Sequence, residues 1–230
     1  MDAKNNADSL VVGGIVPLTT IDYPNHLAAV IFLQGCPWRC LYCHNEHLQS
    51  PISSTFLPWE EVMNLIKSRE GFIDGVIFSG GEPLFQKGLV EAVKEVKAAG
   101  FEVGMHTAGV FPERLAQVVG LLDWVGFDVK SLFSEYQAIT QVPGSGEAAL
   151  ESLKILIASG VDFEARMTVH PVLSVDVVAE AMKEISALGV RHAVLQKCRD
   201  ENENPIEHLI FSDKILLEGI SGYFDSFFIR

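Results

Sequence analysis

Positive charge is scarce in this 230-residue chain. Seventeen Lys and Arg stand against 30 Asp and Glu, for a formal net charge of −13. That deficit argues against a nucleic-acid backbone as partner, because neutralising phosphates needs clustered cations. It argues equally against an anionic membrane surface. Long apolar runs are missing too: a bilayer span needs about 20 residues, and the longest runs, such as 27–33, stop well short. The start of the chain lacks the basic-then-apolar pattern of a secretory signal, so a cytoplasmic location is expected. Cysteine is rare, with four residues in all. In a reducing compartment those four need an explanation other than disulfides. There is no internal repeat and no low-complexity tract. Only the polar residues 1–9 look disordered, and residues 1–13 are expected to form a flexible N-terminal segment.

What is present is apolar material for a sizeable core, at 48% of residues, in a length that suits one domain. That domain is expected over residues 14–230, with its core at about 25–200 and a C-terminal extension at 201–230. Short β-rich runs alternate with helical stretches. The strands are predicted at 27–33 (LAAVIFL), 74–79 (DGVIFS), 101–106, 124–129, 161–169 and 192–196. Helices are predicted at 59–70, 87–99, from Pro112, at 147–159 with Gly160 as its stop, and at 175–188. The tail from 212 to 230 adds a helix and a short strand. Such alternation implies βαβ units and a parallel sheet with right-handed crossovers. A doubly wound open sheet and a partial (β/α)6 barrel both fit the pattern. Either way, chemistry belongs at the C-terminal ends of the strands. The unusual residues fall there: Cys36, Gly80-Gly81-Glu82, Thr107, Lys130 and His170.

The first constellation is Gln34-Gly-Cys-Pro-Trp-Arg-Cys-Leu-Tyr-Cys-His-Asn45, which puts Cys36, Cys40 and Cys43 within eight residues. Three thiolates this close can converge on one metal centre, and four readings compete. Zinc could take the three cysteines with His44 or His47, although a domain with ample core does not need the staple. Cys40-Leu-Tyr-Cys43-His44 matches the c-type haem attachment pattern, but would leave Cys36 idle. A redox dithiol at Cys40 and Cys43 ignores the third cysteine. A [4Fe–4S] cluster usually takes four cysteines; with three, one iron stays open, which is how a metal site becomes catalytic. Cys198 lies far along the chain and reads as a lone thiol. Tyr42, beside Cys43, reads as packing that shields such a centre from water.

Other strand ends carry the second constellation. Adjacent Gly80 and Gly81, before Glu82 and Pro83, let backbone approach a ligand closely; alone they would read as a tight turn. Asp128 and Lys130 share one face of a strand. They form a surface ion pair, or meet the ammonium and carboxylate of a zwitterion. Arg166 is odd in an apolar strand and must find an anion or a cavity. His170 reads equally as a ligand contact or a structural histidine.

The Cys-x3-Cys-x2-Cys spacing resembles that of the radical S-adenosylmethionine (SAM) superfamily, and Gly80-Gly81-Glu82-Pro83 resembles its GGEP motif. Residues 17–45, from Pro-Leu-Thr-Thr-Ile-Asp-Tyr-Pro to Tyr-Cys-His-Asn, are similar to the start of anaerobic ribonucleoside-triphosphate reductase activating proteins and pyruvate formate-lyase activating enzymes. The resemblance covers roughly residues 14–199. It implies a partial (β/α)6 barrel of the radical SAM type. It implies a [4Fe–4S] cluster on Cys36, Cys40 and Cys43, with SAM chelated to the open iron. Tyr42, Gly80, Gly81, Glu82, Thr107, Asp128, Lys130, Arg166 and His170 become the expected SAM contacts, Arg166 toward its carboxylate. Gln196 is expected near the adenine, with Leu195 packed on it. The implied activity is formation of a 5′-deoxyadenosyl radical that takes hydrogen from a glycine of a partner glycyl-radical enzyme. A flavodoxin or ferredoxin is the implied electron donor. The partner surface is expected at residues 131–143 and 199–208. Where the family ends its third strand in Asp-Thr-Asn-Gly, this chain has His106-Thr-Ala-Gly109, so a monovalent-cation site there is in doubt. The alternatives are a small-molecule enzyme resembling 7-carboxy-7-deazaguanine synthase and a zinc-binding module.

Overall fold

The computed structural model of the chain describes residues 7–53, 56–200, 202 and 204–230. Among these, eight strands form one sheet in their order along the chain: β1 (Val12–Thr19), β2 (Ala28–Leu33), β3 (Gly75–Gly80), β4 (Glu102–Thr107), β5 (Trp124–Asp128), β6 (Asp162–Val169), β7 (His192–Lys197) and β8 (Ser226–Ile229). β1 runs antiparallel to β2, and every later strand is parallel to its predecessor. Helices fill the parallel crossovers: α1 (Trp59–Lys67), α2 (Leu89–Ala98), α3 (Pro112–Val118), α4 (Tyr136–Thr140), α5 (Ser145–Ser159), α6 (Val175–Ala187) and α7 (Lys214–Ser221). The strand order never reverses, so there is no switch point of a doubly wound sheet. The sheet curls into a partial barrel, with β1 and β8 at its edges.

The elements follow from local chemistry. β2 is AAVIFL with five of its six residues buried, as expected of a strand covered on both faces. α1 buries Trp59, Val62, Met63 and Ile66, one helical stripe. α3 opens with Pro112 in its first turn. α6 is capped by Ser174, whose hydroxyl accepts from Val177 N at 3.2 Å. α5 ends at Gly160, which takes a φ of 73° that side chains resist.

Two apolar cores result. The larger lies between sheet and helices. The smaller fills the lower lumen with Tyr23, Ala28, Val30, Ile77 and Trp124. Tyr23 comes from the β1–β2 loop, stacks on Trp124 at 5.5 Å, and donates its hydroxyl to Glu102 at 2.9 Å. With the lower lumen filled, polar side chains gather at the C-terminal ends of the strands.

The six strands predicted from sequence correspond to β2–β7. β1 is an addition that the sequence reading missed. Its Gly13, Gly14 and Pro17 interrupt any strand pattern, and Pro17 is tolerated because an edge strand does not need every N–H. The short strand expected in the tail is β8. Of the segment 1–13, residues 1–6 lie outside the described residues. Ala7, Leu10 and Val12 are buried in the larger core, and the turn at Ala7–Ser9 packs against α1 and α2. Within 7–13, Ala7, Leu10 and Val12 anchor the segment while Asp8, Ser9 and Gly13 stay exposed.

Candidate active site

The cysteine loop leaves the top of β2 and is tied at both ends. Gln34 is buried, and its amide donates to the carbonyls of His47 at 3.0 Å and Ser50 at 2.8 Å. Gly35 N donates to Leu48 O at 2.7 Å and Cys36 N to Gln49 O at 3.0 Å. The middle is pinned to α4: Arg39 N donates to Thr140 O at 2.9 Å and Leu41 N to Ile139 O at 3.1 Å. Buried Trp38 packs edge-on against Tyr136. The Arg39 guanidinium donates to the carbonyls of Cys36 (2.6 Å) and Trp38 (2.8 Å). Cys36, Cys40 and Cys43 are thus presented by a held loop, partly exposed, on the wall of a cavity of about 410 Å³.

That cavity collects most of the residues singled out from sequence. Tyr42, Gly80, Gly81, Glu82, Thr107, Asp128, Lys130, Arg166 and Gln196 line it together with the three cysteines. Their chemistry is uneven. Gly80 (φ 122°) and Gly81 are needed mainly because backbone meets backbone. A Cβ would stand 2.3 Å from Leu33 N at Gly80, and 2.6 Å from Gly35 O at Gly81. The Glu82 side chain is fully buried and turned into the protein. It accepts from Leu84 N (3.0 Å), Ala108 N (3.0 Å) and the Thr107 hydroxyl (2.7 Å). Burial pushes its carboxyl up to about 7 despite those donors. The Thr107 hydroxyl also accepts from Gly109 N at 2.9 Å. Glu82 and Thr107 therefore clamp the ends of β3 and β4 and reach a ligand chiefly through backbone.

Asp128 and Lys130 form an ion pair at 3.1 Å. Burial works most strongly against charge on Lys130, but Asp128, Tyr42 and Cys40 together outweigh it and hold the ammonium well above its ordinary pKa. Lys130 Nζ also lies 5.6 Å from the centre of the Tyr42 ring. Arg166, from β6, is buried, donates from Nε to Glu164 at 2.8 Å, and stacks on Trp124 at 4.9 Å. Its Nη2 has no hydrogen-bond partner among the described residues. Gly126 makes room for it: a Cβ there would stand 2.7 Å from the guanidinium carbon.

His170 stands elsewhere. It stacks on Tyr42 at 5.4 Å, away from the main cavity, and borders a second one of about 880 Å³ with buried Cys198. Its Nδ1 accepts from Val172 N at 3.2 Å. Leu195, expected beside Gln196, is fully buried in the larger core and cannot reach the lumen. Sequence reasoning did not place Asp22 or His106 in the site. Both line the cavity, and His106 donates from Nε2 to Asp22 O at 2.9 Å. Burial lowers the His106 pKa to about 4, so the ring is neutral where the family motif has an acid. The signal for Asp22 was its place in the Thr-Ile-Asp-Tyr-Pro run; nothing in that run showed a side chain reaching into the barrel.

The donor set discriminates among metal readings. Among the described residues, no three His, Cys, Asp or Glu side chains close around a point that one ion would occupy. Three cysteines spread over one loop suit a polynuclear group better than tetrahedral zinc. Burial pushes the Cys36 thiol up to about 12 and raises Cys40 as well. Thiolates there need an adjacent cation, which a bound metal would supply.

Comparison with known proteins agrees with this geometry. The family profile described as the Radical SAM superfamily matches residues 30–185. A Methanocaldococcus jannaschii protein that carries the provisional name of a glycyl-radical enzyme activating enzyme is 30% identical, over 94% of this chain and 98% of its own. The pyruvate formate-lyase-activating enzyme of Clostridium pasteurianum is 29% identical, over 71% of this chain and 70% of its own. Among solved structures, QueE from Escherichia coli superposes with a TM-score of 0.61 at 17% identity, covering 96% of this chain and 93% of that one. That level of identity speaks for the fold alone.

Proposed function

Because the chain belongs to the radical SAM superfamily, we propose that it activates a glycyl-radical enzyme, with an anaerobic ribonucleotide reductase among the candidate partners. The carrying observation is the single cavity on which the three-cysteine loop meets the strand-end residues of β3 to β7. The names of relatives similar over most of the chain support the same reading. When bound, a [4Fe–4S] cluster and SAM supply a 5′-deoxyadenosyl radical upon one-electron reduction, and that radical takes hydrogen from a glycine Cα of the partner.

The chain's own residues bind and orient. Cys36, Cys40 and Cys43 are the cluster ligands in this reading. Gly80 and Gly81 offer backbone to the methionyl amino group. Asp128 and Lys130 face a zwitterion with one charge of each sign. Arg166 offers a carboxylate its buried Nη2, which has no hydrogen-bond partner among the described residues. Tyr42 closes the side toward His170 and keeps water from the cysteines. A flavodoxin or ferredoxin is the proposed electron donor.

The test is anaerobic reconstitution with iron and sulfide. Dithionite reduction should give an EPR signal that changes on adding SAM, with 5′-deoxyadenosine released. Mixing with a glycyl-radical enzyme should then give that partner's radical doublet. A protein that holds zinc, or a cluster indifferent to SAM, would overturn the reading.

A further inference from the structure

The cysteine loop has two faces. One forms a wall of the main cavity. The other borders the second cavity, of about 880 Å³. Tyr42, Cys43 and His44 line both, whereas Cys36 and Cys40 line only the main one. A metal centre held on the three cysteines is therefore approached from two directions, through the main cavity and from outside past Cys43.

The outer approach has a held frame with apolar side chains on it. Leu41 lines it with 46% exposure, while its backbone N–H is fixed to Ile139 O at 3.1 Å. Just past β6, His170 stacks on Tyr42 with ring centres 5.4 Å apart and planes 22° apart. Val172, whose N–H donates to His170 Nδ1 at 3.2 Å, is 57% exposed. Two apolar side chains in water need no explanation by themselves. Here they stand at the outer approach to a cysteine, beside a stacked pair of rings, on backbone that is hydrogen-bonded in place.

The main cavity is already committed. In the activating-enzyme reading SAM and the partner's glycine share it, so a protein that delivers electrons must work from another side. Electron transfer slows steeply with distance, and the outer face reaches Cys43 directly. Such encounters are weak and need little contact area, which suits a small apolar frame. The exposed edge of a flavin is a planar, methylated benzene ring, and it matches apolar side chains and stacked rings. An iron–sulfur carrier presents no such edge.

We propose that the outer face of the cysteine loop, with Leu41, Tyr42, His170 and Val172, is the electron-entry surface and takes a small carrier protein that presents an exposed flavin edge. The proposal rests on the activating-enzyme reading for a cluster on the cysteines and for the need of a one-electron donor; the choice of face and of flavin comes from the loop's geometry. The anionic flavin hydroquinone gives up one electron and becomes the neutral semiquinone without releasing a proton. The cluster is reduced by that one electron, and no bond of the chain is made or broken.

Iron- and sulfide-reconstituted protein, with S-adenosylhomocysteine filling the main cavity, would be mixed anaerobically with flavodoxin hydroquinone, and semiquinone formation followed by stopped-flow absorbance. The second-order rate constant should stay within about twofold of that measured without the nucleoside. Leu41→Ser/Val172→Ser should lower it at least about fivefold, and Leu41→Met/Val172→Ile should keep it. Phe72→Ser changes another exposed apolar residue, in the turn before β3 at the opposite end of the strands, and should leave the rate as it was. Iron content and the EPR spectrum after dithionite check that each variant holds its cluster. A rate that collapses when the nucleoside fills the main cavity, or one indifferent to the Ser substitutions, would overturn the proposal. So would a dithionite-reducible cluster that flavodoxin fails to reduce. A ferredoxin that suffers the same loss from the Ser substitutions would overturn the choice of flavin. Cluster reduction is read with no glycine partner present. A flavodoxin-reduced protein that never yields a radical on a glycyl-radical enzyme would sink the activating-enzyme reading and leave the entry surface standing.

Discussion

At the scale of single residues, burial decides more than identity does. Glu82 stands in the GGEP run, yet its carboxyl is buried, taken up by Leu84, Thr107 and Ala108, and raised to about 7. A carboxyl raised from its ordinary 4.5 stabilises the fold fully below that pH, and the contribution is lost as pH rises through 7. His106, lowered to about 4, acts in the opposite sense between roughly pH 4 and 6.5. The two slopes offset in the intact protein. The informative quantity is therefore the stability difference between wild type and Glu82→Gln. It should be largest near pH 5, at about 1–3 kcal/mol for the mismatched buried donors, and shrink toward pH 7.5 in urea titrations. A difference that does not change with pH would contradict the assignment. Gly126→Ala places a methyl against the Arg166 guanidinium. It should weaken SAM binding by roughly 10-fold or more, the scale of one lost charge-assisted hydrogen bond, as read by equilibrium dialysis. The cysteines, Asp128 and Lys130 stood out in the sequence because such residues are unusual at or just past strand ends, and Arg166 because it is odd inside an apolar strand; all of them line the one cavity. Glu164 and Arg230 were not legible, because their pairing joins positions 66 apart in sequence.

At the scale of elements, strands buried on both faces announce themselves as apolar runs, and that is why β2 to β7 could be read directly. β1 could not, since an edge strand tolerates the glycines and proline that hide it. The conformation of the cysteine loop was also illegible. The spacing marks three ligands but does not say that Gln34 holds the loop's return. Gln34→Leu should leave two carbonyls unpaired while keeping the side chain's bulk. Iron retained after gel filtration should fall several-fold, and the far-ultraviolet circular dichroism should stay as in wild type; full iron retention would count against this role. At the start of α6, Ser174→Ala removes the cap on Val177 N and should cost about 1 kcal/mol in chemical denaturation.

At the scale of the molecule, the fold is expected to stand without a metal on the cysteines. Both cores are built from apolar side chains, and the cysteines only fringe the larger one. Replacing Cys36, Cys40 and Cys43 together by Ala should remove bound iron but shift the melting temperature by only a few degrees, equivalent to about 1 kcal/mol. Collapse of the sheet in that variant would show that the cysteines carry the fold. The alternation of strands and helices was visible in the sequence, but a doubly wound sheet remained possible, because strand order is a three-dimensional fact with no local signature. That order, in which every strand pairs with the one just before it, has a consequence for biosynthesis. No strand waits for a distant partner, so the sheet can grow from its first hairpin while the ribosome is still translating. The cysteine loop is the exception. Its middle is shaped by carbonyls of Ile139 and Thr140, so the three thiols are made early but set in place only after residue 140 has emerged, and an iron-delivery system would meet a receptive loop only from that moment on.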